Sequence, residues 1–558
     1  MQTDIESSIS LRLDRRTFLR LSGLSTSLLA TGTLVSLLTA CGAVPQNQAA
    51  VETTVETAAN FAADVEFRLR AVEDSVAILP GKASVAWRFV GELVSGDQQS
   101  LATVPDSYLG PILRVQQGQK VRIRFENELA EASIVHWHGF VIADNMDGHP
   151  RHAIAGGEEY LYEFTVKNRA GTYWFHPHAH GRTGPQVYRG MAGLLLVSDP
   201  EEAALDLPSG VYDIPLVIQD RLFDDENQFR YFVDEAQGSG GMGGMSGMAG
   251  HNMGNMDAMM AQMMGQRGDH ILVNGQIDAA LAVEARAYRL RLVNGSNSRI
   301  YKLAWSDNSP LTAIAIGGGL LAAPMTKPYI ILAPGERVDL WADFSAYEVG
   351  SELRLQSSEF ASMEMGDMMM DNDEILPSGA PFDIITIRIE ATATEEAAPL
   401  PQRLVEIEQL DPLEAVNTDA PYQVELYMDE MVWKLNGRTF ELEEVASDER
   451  FQLNGLYIWE FVNLPGRGMM ADFMAHPMHI HGVQFQVLSR QIDPQYAEAW
   501  QTLTGGIIDE GWHDTVLVAP GERVQVIMRF TEPGLFLYHC HILEHEDGGM
   551  MRNFLVEA

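Results

Sequence analysis

Gly534-Leu535-Phe536-Leu537-Tyr538-His539-Cys540-His541 reads as a strand that ends in His-Cys-His. The first third of the chain carries the same frame, Gly171-Thr172-Tyr173-Trp174-Phe175-His176-Pro177-His178, with the same interval from glycine to first histidine. Each is preceded by another His-x-His, His136-Trp137-His138-Gly139 in one case and His479-Ile480-His481-Gly482 in the other. Residues two apart in a strand point to one face, so each motif aims two imidazoles at one point. The surrounding sequence alternates apolar and polar residues in short runs, such as Lys120 to Phe125 and Val524 to Phe530, cut by Gly and Pro turns. That pattern predicts an all-β protein. Ala333-Pro334-Gly335-Glu336-Arg337-Val338 recurs as Ala519-Pro520-Gly521-Glu522-Arg523-Val524, and more weakly as Ala155-Gly156-Gly157-Glu158-Glu159. Arg122 to Asn127 is echoed by Arg289 to Asn294. Three copies predict three β-sandwich domains, at 64–205, 206–395 and 396–558. The middle one has no His-x-His and reads as a spacer.

The chain has 558 residues, 46% of them hydrophobic, with 77 acidic against 38 basic side chains and a net charge of -39. This is globular composition, which argues against wholesale disorder. A polyanion repels nucleic acid, so no DNA or RNA partner is expected, whereas small cations are attracted. Two cysteines, Cys41 and Cys540, exclude a disulfide framework. Asp14-Arg15-Arg16-Thr17-Phe18-Leu19-Arg20 and the apolar stretch Leu21 to Leu38 read as a twin-arginine export signal over 1–41. It closes on Leu38-Thr39-Ala40-Cys41, which resembles a lipoprotein cleavage box. The expectation is a periplasmic or cell-surface protein anchored to the membrane by lipid on Cys41. Residues 42–63 read as a flexible tether.

Sixteen histidines supply five His-x-His motifs in four clusters, where chance would give roughly half of one. Eight imidazoles, from His136, His138, His176, His178, His479, His481, His539 and His541, are too many for one ion and suit a cluster of several. Imidazole favours borderline metals such as copper. Cys540 stands between two cluster ligands and points to the opposite face. His545 and Met550 follow it, and His476 precedes His479 by three. One Cys, two His and a distant Met are the donor set of blue-copper electron transfer. Zinc, which has no redox chemistry, gains nothing from such a covalent link.

These segments resemble the four copper motifs of the three-domain multicopper oxidases, the family of laccases and bacterial copper-efflux oxidases, over nearly all of 64–558. The resemblance implies three cupredoxin-like, Greek-key β-sandwiches and four copper ions. Type 1 copper would be held by His476, Cys540, His545 and Met550, and type 2 copper by His136 and His479. The type 3 pair would be held by His138, His176, His178, His481, His539 and His541. It implies one-electron oxidations at type 1 copper coupled to four-electron reduction of O2 to water. Asp147 resembles the family acid near the type 2 copper, and Glu546 the acid that relays protons to bound oxygen. His180 reads as outer support, and a monomer is expected.

Nine methionines lie between Met242 and Met264, within an insertion at 238–266, and five more between Met363 and Met370. Thioether sulfur selects Cu(I). The first run is punctuated by Gly and lacks a strand period, so it reads as a flexible surface segment. Asp472 and Met474 match positions that copper-efflux oxidases use beside the type 1 copper, with Met428, Asp429 and Met431 as weaker candidates. The expected substrate is Cu(I), in the service of copper tolerance. The alternatives are a laccase acting on phenols or aromatic amines, and a copper-binding protein without catalysis.

Overall fold

The computed structural model describes residues 61–234, 253–361, 375–395, 397–429, 431–463 and 474–558. Cys41 and the tether up to residue 60, the first part of the Met-rich insertion, the second methionine run and Asp472 lie outside the described residues. Residues 63–558 form one unit of six sheets. In the first sandwich a sheet of Ser84–Ser95, Val65–Val76, Lys120–Asn127 and Glu159–Thr165 faces one of Leu101–Ala102, Ile112–Gln116, Gly193–Ser198, Gly171–Pro177 and Val135–His138. Alternate residues of Lys120–Asn127 are buried. Val121, Ile123 and Phe125 share a core with Trp137, Tyr173 and Leu195 of the other sheet. The third sandwich pairs a sheet built on Leu456–Asn463 and Glu522–Arg529 with one that includes His476–Ile480 and Gly534–Cys540. The middle sandwich has a seven-stranded and a five-stranded sheet around Leu290, Leu303, Leu340, Leu355 and Ile387.

The repeated Ala-x-Gly-Glu segment is one turn used three times. Glu158, Glu336 and Glu522 each donate a backbone N–H to the carbonyl three residues back, at Ala155, Ala333 and Ala519. Gly157, Gly335 and Gly521 have φ of 86°, 81° and 72°. Proline second and positive-φ glycine third, as in two of the copies, is the signature of a type II turn. Each glutamate side chain also accepts the amide of its opening alanine at 2.8 Å. A fourth copy, disguised in sequence, is Ala446-Ser447-Asp448-Glu449, where Ala446 N–H donates to Glu449 at 2.7 Å. The Arg122-to-Asn127 echo also has a third member, Leu456–Asn463. Asn127, Asn294 and Asn463 each use Nδ2 to hold the carbonyl just before the turn, at Ile154, Leu332 and Val518.

Strand pairing brings the histidine motifs together. His136 lies opposite His176 across one antiparallel pair, and His479 opposite His539 across another.

The Met-rich insertion departs from the flexible reading where it is described. Met253–Met264 is an α-helix. Met260, Met263 and Met264 are buried in the third sandwich's core, beside Trp433, Met474, Cys540 and Met550, while Met256 and Met259 are exposed. Met256, Met260 and Met263 recur at four and three residues, a helical rather than a strand period. Among the described residues no helix is long and apolar enough to cross a membrane.

Candidate metal centre

Eight histidines from the two outer sandwiches converge with relative exposures of 0–1%. Three groups have ligand nitrogens within 4.8 Å of one another: His138, His176 and His541; His178, His481 and His539; and His136, His138 and His479. His136 Nε2 and His479 Nε2 stand 3.3 Å apart, and His481 Nε2 and His539 Nε2 3.0 Å. Rings from the two domains stack, His138 on His479 at 3.8 Å and His136 on His481 at 3.7 Å.

The opposite ring nitrogens are anchored. His136 Nδ1 donates to the Asp147 carbonyl, and His479 Nδ1 to the Asp514 carbonyl, both at 2.7 Å. His481 Nδ1 donates to Asp147 Oδ2 at 2.7 Å. With those protons fixed, the other nitrogens present lone pairs inward. His138 Nδ1, His176 Nε2 and both nitrogens of His541 are buried without a hydrogen-bond partner. Burial first, and the neighbouring rings second, push His138, His178, His481 and His541 well below the usual imidazole range. Burial takes His176 down to about 3 and His539 to about 4. Neutral, orphaned imidazoles in this number are a donor set that a cluster of metal cations completes.

Two predicted carboxylates border this cluster. Asp147 is fully buried, and burial holds its carboxyl well above the usual range. Glu546 places Oε2 3.2 Å from His539 Nδ1 and Oε1 3.6 Å from His178 Nδ1. Neither oxygen has a hydrogen-bond partner, and burial, with Asp547 nearby, holds this carboxyl well above the usual carboxylate range. Two further buried acids escaped the sequence reading because they occupy the unspecified positions between the ligands His541, His545 and Met550. Glu544 accepts from Tyr231 at 2.9 Å and Asn297 at 2.8 Å. Asp547 accepts the amides of Thr183 and Gly184, and burial pushes it up to about 7.

Cys540 faces the other way, as strand alternation requires. Its Sγ lies 3.4 Å from His476 Nδ1 and 3.6 Å from His545 Nδ1, and all three are fully buried. Met550 is buried in the same core, and its carbonyl accepts the Cys540 N–H at 3.1 Å. Burial raises the thiol and lowers His476 to about 3, so a nearby cation is what would make the thiolate. Trp433 lies against His545 at 4.0 Å with the rings tilted by 32°, and meets His476 edge-on at 5.1 Å. His545 Nε2 donates to the Met263 carbonyl at 2.9 Å, so the Met-rich helix sits directly on this imidazole. Met474 and Met428 are buried in the same core, whereas Met431 is exposed.

His180 is exposed, apart from the cluster, with its ring against Phe440. Among the described residues the middle sandwich supplies no ligand to these groups, yet it packs against them. Its Gly335 turn lies against His541, where an added Cβ would come within 3.0 Å of the ring. Its Arg337 forms a buried, two-pronged ion pair with Asp514. Neither residue was legible beforehand, because Arg337 lies in a repeat that reads as a simple turn and Asp514 lies in no motif.

Two segments of the chain, 91–202 and 415–558, match the sequence family described as multicopper oxidase. The chain is 29% identical to multicopper oxidase mco of Staphylococcus aureus over 462 residues, covering 82% of this chain and 85% of that one. It is 30% identical to a laccase of Bacillus stratosphericus, covering 81% of this chain and 90% of the relative. The crystal structure of McoA multicopper oxidase from the hyperthermophile Aquifex aeolicus superposes with a TM-score of 0.69 at 33% identity, covering 89% of this chain and 97% of that one. The three sandwiches are therefore cupredoxin-like, and the cluster of buried imidazoles is a site for copper. The chain belongs to the multicopper oxidase family.

Proposed function

We propose that this oxidase acts on Cu(I), and that the Met-rich helix Met253–Met264 is what favours that substrate. In this reading His476, Cys540, His545 and Met550 hold type 1 copper, His136 and His479 hold type 2 copper, and the two remaining histidine triads hold the type 3 pair. When bound, the four coppers supply one-electron acceptors and a site at which O2 takes up four electrons. Four one-electron oxidations and four protons convert one O2 to two waters. The chain provides the connections. Cys540 is covalently continuous with His539 and His541, and His539 Nδ1 also reaches the Cys540 carbonyl at 3.0 Å. Glu546, between His178 and His539, is placed to hand on protons.

The observation that carries the substrate assignment is the helix itself. It ends on His545, presents the exposed thioethers of Met256 and Met259, and leaves both type 1 imidazoles fully buried. A soft cation can be passed along thioethers, whereas a planar phenol needs direct access to an imidazole edge. Oxidation of phenols or aromatic amines has the 30% identity to the Bacillus stratosphericus laccase in its favour. The two readings separate on two variants. Met256→Gln with Met259→Gln should lower kcat/KM for Cu(I) about tenfold, equivalent to roughly 1.4 kcal/mol, and spare phenols. Deletion of 253–264 should lower the Cu(I) rate and raise the phenol rate. An unchanged Cu(I) rate would favour the laccase reading, and equal losses for both substrates would mark the helix as part of the structural core it shares with Trp433 and Met550.

The same proposal places the enzyme outside the cytoplasm as a monomer, exported by the twin-arginine signal and held to the membrane through Cys41. Cys41→Ala should leave activity intact and move the protein from the membrane to the soluble fraction. A wild type already fully soluble would count against the anchor.

A further inference from the structure

We propose that Arg337 of the middle sandwich is a positioning residue for the copper cluster, acting through Asp514 on one imidazole from each outer sandwich. All five of its N–H donors are used. Nε donates to the Thr172 carbonyl at 3.1 Å, on the first-sandwich strand that carries His176. Nη1 donates to the Gly335 carbonyl at 3.0 Å and Nη2 to the Gly317 carbonyl at 2.7 Å, both in the middle sandwich. The remaining two reach Asp514 of the third, Nη1 to Oδ1 at 2.7 Å and Nη2 to Oδ2 at 2.5 Å. One planar guanidinium thus indexes the three sandwiches against each other, a task suited to a rigid fork and not to a lysine.

Asp514 passes that registry to the ligands. Its Oδ1 accepts from His138 Nε2 at 3.1 Å, which leaves His138 Nδ1 as the inward nitrogen. Its backbone carbonyl accepts from His479 Nδ1 at 2.7 Å, which leaves Nε2 inward. Thr515 Oγ1 closes the set, 2.9 Å from Asp514 Oδ1 and 3.1–3.2 Å from the two rings. Orientation of this kind fixes both tautomer and ring angle. The space is reserved for the pair. Gly139, directly after His138, has φ 83°, and a Cβ there would lie 2.3 Å from Asp514 Oδ2 and 2.9 Å from Arg337 Nη2.

Two observations separate this role from a fold requirement. The equivalent arginine in the third-sandwich turn, Arg523, pairs instead with Glu460 and is 34% exposed. The first-sandwich copy carries Glu159 at that position. The turn therefore forms without a buried arginine. A buried ion pair is also a poor source of stability compared with apolar packing, so its presence beside a ligand set calls for another use.

The inference rests on the assignment of His479 to type 2 copper and of His138 to the type 3 pair. The test is copper loading of purified Arg337→Met and Arg337→Lys enzymes beside wild type, judged as variant-to-wild-type ratios. Copper per chain, the type 2 electron paramagnetic resonance signal, the type 1 visible band and the apo-protein Tm are measured together. Arg337→Met should weaken type 2 copper binding about tenfold or more, while the type 1 band per chain stays at the wild-type level. Arg337→Lys, which keeps the charge and loses the fork, should retain more type 2 copper than Arg337→Met and show altered hyperfine coupling. Wild-type type 2 affinity and spectrum in both variants would overturn the proposal. So would a parallel fall of both copper signals with apo Tm, because that is what a purely structural ion pair predicts. If Arg337→Met does not fold, Arg337→Lys decides: a shifted type 2 signature with an intact type 1 band supports the role, and a wild-type signature removes it. Absence of type 2 signal from the wild type itself would overturn the ligand assignment and this inference with it.

Discussion

Replacing Cys540 with serine should abolish the intense blue colour and bring oxidase turnover down to background, while copper still binds at the histidine cluster. Cys540 is the one cysteine among the described residues, and its sulfur is the atom that faces both His476 Nδ1 and His545 Nδ1. A serine oxygen occupies nearly the same space. It is a hard, scarcely acidic donor, so the copper–thiolate bond disappears without a packing defect large enough to disturb the strand. His539 and His541 point to the other face and are not touched by the change, so the cluster should load. The visible spectrum, copper content and steady-state rate are read together. An undiminished visible band would remove Cys540 from the type 1 site.

Glu546→Gln should slow reoxidation of the reduced enzyme by O2 about 10²-fold or more, the usual cost of losing a positioned proton donor. Reduction of type 1 copper by substrate should proceed at the wild-type rate. Glutamine keeps the shape of a side chain whose two oxygens stand 3.2 and 3.6 Å from ring nitrogens of His539 and His178. It removes the group that can accept and pass on a proton. Stopped-flow mixing of reduced enzyme with O2 separates the two half-reactions. Reoxidation at wild-type speed would place proton delivery elsewhere, with Asp147 next in line through its contact with His481.

The histidine cluster was legible in the sequence because strand alternation converts His-x-His spacing directly into geometry. His136, His176, His479 and His539 needed no long-range information beyond the pairing of like motifs. The all-β plan was legible for the same reason, since Lys120–Asn127 buries every second residue. The Met-rich helix was missed because its glycines argued for a loop and only a strand period was sought, so the i, i+4, i+7 spacing of Met256, Met260 and Met263 was not used. Tertiary burial against Trp433 and Met550 decides for the helix. Arg337, Asp514 and Trp433 were invisible for a different reason. Each acts on a ligand brought close only by folding, and nothing in its local sequence distinguishes it from an ordinary turn or strand residue.

The distribution of ligands along the chain also sets an order of events during synthesis. Every donor group of the cluster mixes residues from the first sandwich with residues from the third, as in the His136–His479 contact across 343 positions. A ribosome that has made only the first sandwich has therefore made part of each group and none complete. Contacts this distant form late, after the intervening sandwich has folded and the ends have been gathered. Copper cannot be captured co-translationally in its final geometry, and a nascent chain displays open His-x-His edges that nickel or zinc would also fit. A chain interrupted between His178 and His479 would carry the first sandwich's open imidazoles and no complete donor group.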